Sequence, residues 1–210
     1  MLFYSINLWQ FNKKVNKVEN FLKSKKRYKV RIKIATINVY VCKICGEAYI
    51  GENPPSRCPF CGAYKKYLIK AQDYNENGDW DVELNEKDKA NAEHALEVEI
   101  SNTIFYKCAS NKSPNIEGQK LFKILSKVEN EHASVWKKIL KLDKIELPAY
   151  DACSEEYRPN LEESHQREER AIKFYKQAAA ESVNPRIKEI FQAFVEVETD
   201  HLHLSEERLK

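Results

Sequence analysis

A set of two glutamates, one tyrosine and one histidine occurs twice in this chain, and the second copy lies 69 positions after the first. Both copies follow the pattern Glu-x6-Tyr-x22-Glu-x2-His. The first copy consists of Glu99, Tyr106, Glu129 and His132, and the second of Glu168, Tyr175, Glu198 and His201. Carboxylates and imidazoles are ligands that iron and manganese take in proteins, so the repeat predicts a site for two metal ions.

The spacing of the repeated residues fits helices that face one another. Residues three apart lie on one helical face, so each Glu-x2-His motif can address a single metal ion. An antiparallel neighbour joined by a short loop brings Glu99 level with one motif and Glu168 level with the other. One glutamate from each of two helices, plus Glu-x2-His from each of two others, is the ligand pattern of dinuclear carboxylate sites in four-helix bundles.

Four glutamates in the core of a bundle require compensating positive charge, because burying them unpaired is prohibitively costly. Two divalent ions neutralise the four carboxylates. The mixed oxygen and nitrogen ligand set suits iron or manganese and is too hard for copper(I). The predicted cofactor is therefore a non-haem di-iron or di-manganese centre.

A plainer explanation is a solvated helix face, since a single Glu-x2-His on a glutamate-rich helix usually faces solvent. The second copy, and the matching Glu-x6-Tyr upstream of each motif, favour the metal site. Tyr106 and Tyr175 are expected a turn or two from the metals, where a hydroxyl can hydrogen-bond a ligand. The remaining histidines are predicted to be surface residues: His94, His165 and His203.

Four of the six cysteines form two Cys-x2-Cys pairs, which in a non-secreted chain are more often metal ligands than disulfides. A glycine after each pair lets the chain turn tightly, so backbone N–H groups can point at the thiolates. Four thiolates favour tetrahedral zinc or iron, and the spacing alone leaves both open. The predicted ligands are Cys42, Cys45, Cys58 and Cys61, and Cys108 and Cys153 are expected to be unpaired thiols.

The hydrophobic pattern divides the chain into a short-strand region and a helical region. β-Branched residues, tyrosines, glycines and prolines in residues 37–72 predict short strands and tight turns. From Asn85 the period becomes helical, and four predicted helices cover about 85–112, 116–142, 160–183 and 186–209. Their connections are short, long and short, which predicts a mainly α fold, a ferritin-like four-helix bundle with one long crossover. The predicted organisation is an N-terminal extension of unknown role (1–36), a metal module (37–72), a linker (73–84) and the bundle (85–210).

Length and charge limit the classes of partner. A chain of 210 residues accommodates one ordinary domain and a small one, and a net charge of +3 with interspersed signs gives no reason to expect nucleic acid. No long apolar run is present, so no membrane span is expected. The start of the chain lacks the features of a secretion signal, so a cytoplasmic location is expected.

With both sites in view, the chain resembles the rubrerythrins. The segment Tyr40 to Tyr67, YVCKICGEAYIGENPPSRCPFCGAYKKY, is similar to the short rubredoxin module of that family. Residues 85–209 are similar to its ferritin-like di-iron domain, and the two segments together cover roughly three-quarters of the chain. The module comes first here, which resembles the reverse-order rubrerythrins.

The resemblance implies a role for each ligand. The four cysteines would hold a single iron, and Glu129 and Glu198 would bridge a di-iron pair completed by the other glutamates and the histidines. One position departs from the family pattern: many rubrerythrins carry an extra glutamate one turn after the ligand on the third helix, where this chain has Ala171. That departure makes an O2-consuming oxidase the enzymatic alternative.

The activity that the resemblance implies is peroxide reduction in oxidative-stress defence. A di-iron centre would reduce hydrogen peroxide to water with electrons relayed through the rubredoxin-type iron. The implied partners are an external electron donor, either an NAD(P)H-linked reductase or a rubredoxin, and a second copy of the chain in a homodimer. The short linker suggests that the module delivers electrons to the partner subunit. Outside the enzymes, the alternative is ferritin-like iron oxidation and storage with a purely structural zinc ribbon.

Overall fold

A small antiparallel sheet opens the described part of the chain. The computed structural model describes residues 36–149 and 152–210, so the predicted extension lies outside the described residues except for Thr36. Three strands, β1 (Asn38–Cys42), β2 (Ala48–Gly51) and β3 (Leu68–Lys70), pair in the order β2-β1-β3. Two 3-10 turns, Lys65–Tyr67 and Ala71–Asp73, flank β3. The prediction of short strands and turns around the cysteines is confirmed.

Five α-helices follow the sheet within the described residues. They are α1 (Glu76–Trp80), α2 (Glu86–Lys112), α3 (Ile116–Ile139), α4 (Tyr157–Glu181) and α5 (Pro185–Leu209). α2 packs against α3, α4 packs against α5, and α2 also contacts α4. The connections between the four long helices are short, long and short, so the predicted bundle with one long crossover is confirmed. Among the described helices, none is long and apolar enough to cross a membrane.

Asparagine side chains determine where three of the long helices begin. The side-chain oxygens of Asn85 and Asn115 each accept a hydrogen bond, at 2.7 Å, from the backbone N–H three residues further on. Asn184 caps α5 in the same way. These bonds satisfy N–H groups that have no partner within the helix, which is why asparagine is favoured at this position.

Two helix boundaries differ from those predicted. α4 begins at Tyr157 rather than near residue 160, because Pro159 falls in the first turn, where its missing N–H removes no helical hydrogen bond. α3 ends at Ile139 rather than near residue 142, because Lys141 adopts a left-handed φ of 55°. That conformation cannot continue a right-handed helix.

Two apolar clusters form the core. The larger contains all four cysteines of the Cys-x2-Cys pairs together with Trp136, Phe191 and Phe194, so the module and one end of the bundle share a continuous core. The smaller lies at the other end of the bundle and includes Phe105 and Phe122. The carboxylate residues of the repeat lie between these clusters along the helices, where side chains from all four helices converge.

A disulfide joins Cys108 to Cys153, so the expectation of two unpaired thiols is wrong. Cys108 lies near the end of α2, and Cys153 lies in the crossover between α3 and α4, where it packs against the smaller cluster. No spacing rule relates a helix position to a loop position 45 residues away, so the sequence carried no signal for this pair. The bond attaches the crossover to the bundle.

Replacing Cys153 with serine is expected to lower the free energy of unfolding of the oxidised protein. The bond spans 45 residues, and a loop of this length restricts the unfolded chain by about 4 kcal/mol in the chain-entropy treatment. Denaturant unfolding of the variant and the wild type measures the difference. Wild type treated with a reductant is the control and should unfold like the variant. Equal midpoints for oxidised wild type and variant contradict the prediction.

Candidate metal centres

All six carboxylate and imidazole residues singled out by the repeat come together in the bundle. Glu99 comes from α2 and Glu168 from α4, while α3 and α5 each contribute a Glu-x2-His motif. Two overlapping groups result, and within each group one possible ligand atom per residue lies within 4.8 Å of all the others. The groups are Glu99, Glu129, His132 and Glu198, and Glu129, Glu168, Glu198 and His201. Glu129 and Glu198 belong to both groups, which is the position that a bridging ligand requires.

The two histidines face the two shared glutamates in matching ways. His132 Nδ1 lies 3.2 Å from Glu129 Oε2 and 3.1 Å from Glu198 Oε1. His201 Nδ1 lies 2.8 Å from Glu198 Oε2 and 3.1 Å from Glu129 Oε1. The imidazole rings are stacked with centroids 6.4 Å apart. Each shared glutamate therefore offers one oxygen to each half of the site.

The carboxylates of this cluster are buried without enough positive charge nearby to compensate them. The four carboxylates are at most 1% exposed, and both oxygens of Glu129 and of Glu198 have no hydrogen-bond partner among the described residues. Burial raises the pKa of Glu99 and of Glu168 well above the ordinary value, and the neighbouring carboxylates act in the same direction. Buried anions without partners are costly, and two divalent ions at the shared oxygens satisfy them. The residues present therefore fit a dinuclear centre.

The imidazoles also fit metal ligation. Burial acts to lower the pKa of His132 and of His201, but the surrounding carboxylates outweigh it and raise both pKa values well above the ordinary value. The carboxylates thus favour positive charge at both rings, which a bound metal ion would supply instead. The Nε2 atom of His132 donates to the backbone carbonyl of Cys61 at 2.8 Å, which leaves Nδ1 as the ligand atom.

The two tyrosines of the repeat bond across the bundle rather than within their own half. Tyr106 on α2 donates to Glu168 on α4, and Tyr175 on α4 donates to Glu99 on α2. Each phenol holds the glutamate that is not shared between the two groups. Ser164 extends this network, because its hydroxyl lies 2.9 Å from that of Tyr106. The repeat could not reveal Ser164, since the position 69 residues earlier is alanine.

The four cysteines also meet in one buried cluster. Cys42 Sγ lies 3.7 Å from Cys61 Sγ, and Cys45 Sγ lies 3.8 Å from Cys58 Sγ. Ligands at about 2.3 Å around a tetrahedral ion are separated by about 3.8 Å, so the cluster has the dimensions of a four-thiolate site for iron or zinc. Hydrogen bonding among the sulfurs, together with burial, raises the pKa of the Cys61 thiol, and a bound cation would favour its thiolate form.

The cysteine cluster packs against the carboxylate cluster of its own chain. The carbonyl of Cys61 accepts the His132 hydrogen bond, and Gly62 lies against Val197, the residue before Glu198. Lys138 Nζ donates to the carbonyl of Cys45 at 2.6 Å. Ion pairs add to the interface between module and bundle: Lys43 with Glu189, Arg57 with Asp200 and Lys66 with Glu196. The packing lies within one chain, and delivery of electrons to a partner subunit stays a prediction.

The three remaining histidines and Ala171 lie outside the carboxylate cluster. His94 and His203 are exposed, as predicted, whereas His165 is half-buried and pairs with Glu169 at 3.7 Å. Ala171 is 2% exposed and lies one turn after Glu168 on α4. No carboxylate stands there, so an extra ligand from that position is absent.

Gly62→Ala is expected to slow the electron transfer that the resemblance implies between the two clusters in the metal-loaded protein. Gly62 has a φ of +74°, and a Cβ there would lie 2.9 Å from Val197 Cγ1. A left-handed alanine costs about 1–2 kcal/mol, and the contact forces the module away from α5. Stopped-flow absorbance of the four-thiolate iron during reoxidation measures the rate.

Gly46→Ala is the matched control for this change. Gly46 has a φ of +84° in the other cysteine knuckle, and its Cβ would meet Trp80 and Lys138 instead of α5. The backbone strain is the same as in Gly62→Ala, but Gly46→Ala leaves the contact between Gly62 and Val197 unchanged. If both variants slow electron transfer equally, the contact between Gly62 and Val197 is not what matters.

The fold and the site together define a class of protein. A four-helix bundle with one long crossover and a central set of four glutamates and two histidines is a ferritin-like carboxylate protein with sites for two metal ions. The family described as Rubrerythrin matches residues 91–209, and the one described as Rubrerythrin, rubredoxin-like domain matches residues 40–68. The chain belongs to the rubrerythrin family, with its rubredoxin-like domain first, in the reverse domain order.

Similarity to a curated relative is confined to a short segment. The chain is 40% identical over 37 residues to Reverse rubrerythrin-1 of Clostridium acetobutylicum. The matched segment covers 18% of this chain and 20% of that protein. No solved structure matches the chain significantly. Family membership therefore rests on the two family matches, which agree with the resemblance noted from the motifs.

Proposed function

We propose that this protein is a non-haem di-iron oxidoreductase that reduces hydrogen peroxide to water with electrons relayed through a rubredoxin-type iron. The observation that carries the proposal is the hydrogen bond of His132 Nε2 to the carbonyl of Cys61, at 2.8 Å. It connects a residue of the carboxylate cluster to a residue of the cysteine cluster within one chain. A storage protein with a structural zinc ribbon needs no such connection between its two metal-binding sets.

The proposed ligands are the residues that the two clusters bring together. Glu129 and Glu198 would contribute to both metal positions, and Glu99, His132, Glu168 and His201 would complete the ligand set. A single iron would be held by Cys42, Cys45, Cys58 and Cys61. When bound, the two ferrous ions of the bundle supply one electron each, so that one peroxide takes up two electrons and two protons and gives two waters.

Tyr106 and Tyr175 hold two of the proposed ligands, Glu168 and Glu99, in place during this chemistry. Burial raises the pKa of Tyr106 and of Tyr175 well above the ordinary value, and the adjacent glutamates act in the same direction. Both phenols therefore keep their protons and remain donors to Glu168 and Glu99. Fixed donors of this kind hold carboxylate ligands in one orientation.

The cysteine cluster is proposed to return electrons to the bundle one at a time. His132 and Cys61 provide the direct route, because the imidazole joins the carboxylate cluster at Nδ1 and the Cys61 backbone at Nε2. The external donor, an NAD(P)H-linked reductase or a rubredoxin, remains a prediction. The homodimer, the cytoplasmic location and the role in oxidative-stress defence are predictions as well.

A second candidate, an O2-consuming oxidase, is favoured by one observation. Ala171 occupies the position where many rubrerythrins carry the extra glutamate, and an alanine supplies no carboxylate. The two candidates share the same ligands and differ in the oxidant.

Reoxidation of the iron-loaded, reduced protein, by anaerobic peroxide in one arm and by air-saturated buffer in the other, separates these functions. Metal analysis and an absorption spectrum on the same sample establish the loading, and a red chromophore bleached by dithionite identifies iron at the cysteines. We expect peroxide to reoxidise the protein faster than air-saturated buffer does. Equal or slower reoxidation by peroxide rejects peroxide reduction in favour of the oxidase. A colourless, zinc-filled cysteine site in protein purified without added metal rejects the electron relay.

A further inference from the structure

A cavity of about 430 Å³ opens between α2 and α4 on the outer side of the carboxylate cluster. Its walls follow the internal repeat, because several lining residues pair across the 69-residue shift. The pairs are Val98 with Arg167, Ser101 with Arg170, and Asn102 with Ala171. The cavity therefore lies between equivalent surfaces of the two halves of the site.

The inner wall of this cavity adjoins the two unshared glutamates. Asn102 is three residues after Glu99 on α2, and Ala171 is three residues after Glu168 on α4. Residues three apart share one helical face, so Asn102 and Ala171 each stand one turn from a proposed metal ligand. Alanine at position 171 leaves open the space that a longer side chain would fill.

Asn102 is the polar residue of this inner wall. It is 3% exposed, and its Oδ1 accepts a hydrogen bond from Arg167 at 3.3 Å. Its Nδ2 is buried and has no acceptor among the described residues. A buried amide donor without a partner is costly, and Asn102 stands in the cavity wall, so the donor indicates a ligand that accepts a hydrogen bond there.

Arg167 holds the amide in this orientation. Its guanidinium is itself fixed, because it donates to Ser101 Oγ at 3.1 Å, pairs with Glu163 at 2.8 Å and lies over the ring of Phe105. Arginine has donors only, so it selects the oxygen of the Asn102 side chain and leaves the nitrogen without a partner.

We propose that this cavity is the access route and binding site for peroxide, and that Asn102 Nδ2 donates a hydrogen bond to the peroxide as it reaches the carboxylate cluster. The identity of the ligand rests on the proposed function. The chemistry recognised is that of a small oxygen or nitrogen ligand with a free lone pair, so azide is a suitable probe. Asn102 acts as a positioning residue, and it supplies no proton or electron to the reaction.

Asn102→Ala in the oxidised, iron-loaded protein tests this inference by an optical titration with azide. The loss of one hydrogen bond is expected to weaken azide binding about fivefold and to raise KM for peroxide by a similar factor, with kcat little changed. Ala171→Leu, which fills the inner wall, is expected to weaken azide binding as well. Iron content is measured on every sample, so that loss of metal is not mistaken for loss of affinity.

Asn91→Ala is the matched control, because Asn91 is a buried asparagine on the same helix that bonds Glu181 and does not line the cavity. Unchanged azide affinity in both Asn102→Ala and Ala171→Leu at full iron content overturns the inference, whatever the oxidant. Weakened azide binding in a protein that O2 reoxidises faster than peroxide upholds the cavity as the ligand site and rejects the proposed function instead.

Discussion

Glu198→Gln is expected to lose both metal ions of the bundle. Glu198 belongs to both ligand groups, and each of its oxygens lies near a different histidine, at 3.1 Å from His132 and 2.8 Å from His201. A glutamine keeps the shape but provides a single neutral oxygen, so it cannot bridge and it removes one compensating charge. Metal analysis after anaerobic loading with ferrous ion and desalting measures the result.

Glu99→Gln is the matched control for the loss of a bridge. Glu99 belongs to one group only and is held by Tyr175, so its replacement is expected to weaken one metal position and to leave the other occupied. The cysteine site provides an internal standard, since neither change touches it. Equal iron loss in the two variants would falsify the assignment of Glu198 as a bridge.

Local sequence was sufficient to predict the elements and the side chains that form the carboxylate cluster. Glu-x2-His places two ligands on one helical face wherever the segment is helical, and asparagine before a helical period marks where the helix begins, as at Asn85 and Asn115. The repeat then supplied the pairing of the two halves. The ligand spacing and the helix starts depend on residues close in sequence, so the sequence alone can predict them.

Residue spacing could not predict the contacts between different elements. Tyr106 and Glu168 lie on different helices in different halves of the repeat, and only the packing of α2 against α4 makes them partners. The acceptor of the His132 hydrogen bond is a backbone carbonyl, which has no residue-type signature. The disulfide between Cys108 and Cys153 likewise depends on where the crossover lies on the bundle.

His132 shows how one such contact changes the interpretation of a residue that the sequence did predict. As a member of Glu-x2-His it is predicted to be a metal ligand of the bundle and nothing more. Its bond to Cys61 fixes the ring so that Nδ1 faces the carboxylates, and it joins that ring to the cysteine cluster. A carbonyl at Nε2 also increases the electron density on Nδ1, which strengthens it as a ligand. Positioning of the ligand and connection of the two centres thus depend on the same hydrogen bond.

Zinc in place of iron at the four cysteines is expected to stop steady-state peroxide reduction while leaving a single turnover intact. Zinc takes the same tetrahedral thiolate geometry but has no redox chemistry, so the module keeps its fold and its contact with His132 and loses only the ability to carry an electron. The bundle, loaded with ferrous ion, still holds the two electrons that one peroxide requires. Stopped-flow mixing with peroxide measures the single turnover, and coupled consumption of the external reductant measures the steady state.

Cys58→Ser separates the loss of electron transfer from the loss of structure in this experiment. The serine variant lacks one thiolate of the buried cluster, so it binds the metal ion less tightly. Because the metal ion organises the two cysteine knuckles, its loss affects the fold of the module as well as its redox function. We expect the variant to lose steady-state activity like the zinc form, and in addition to unfold at a lower denaturant concentration. Steady-state turnover that persists in the zinc form would mean that the reductant reaches the bundle without the cysteine site, and the relay through Cys61 and His132 would have to be abandoned.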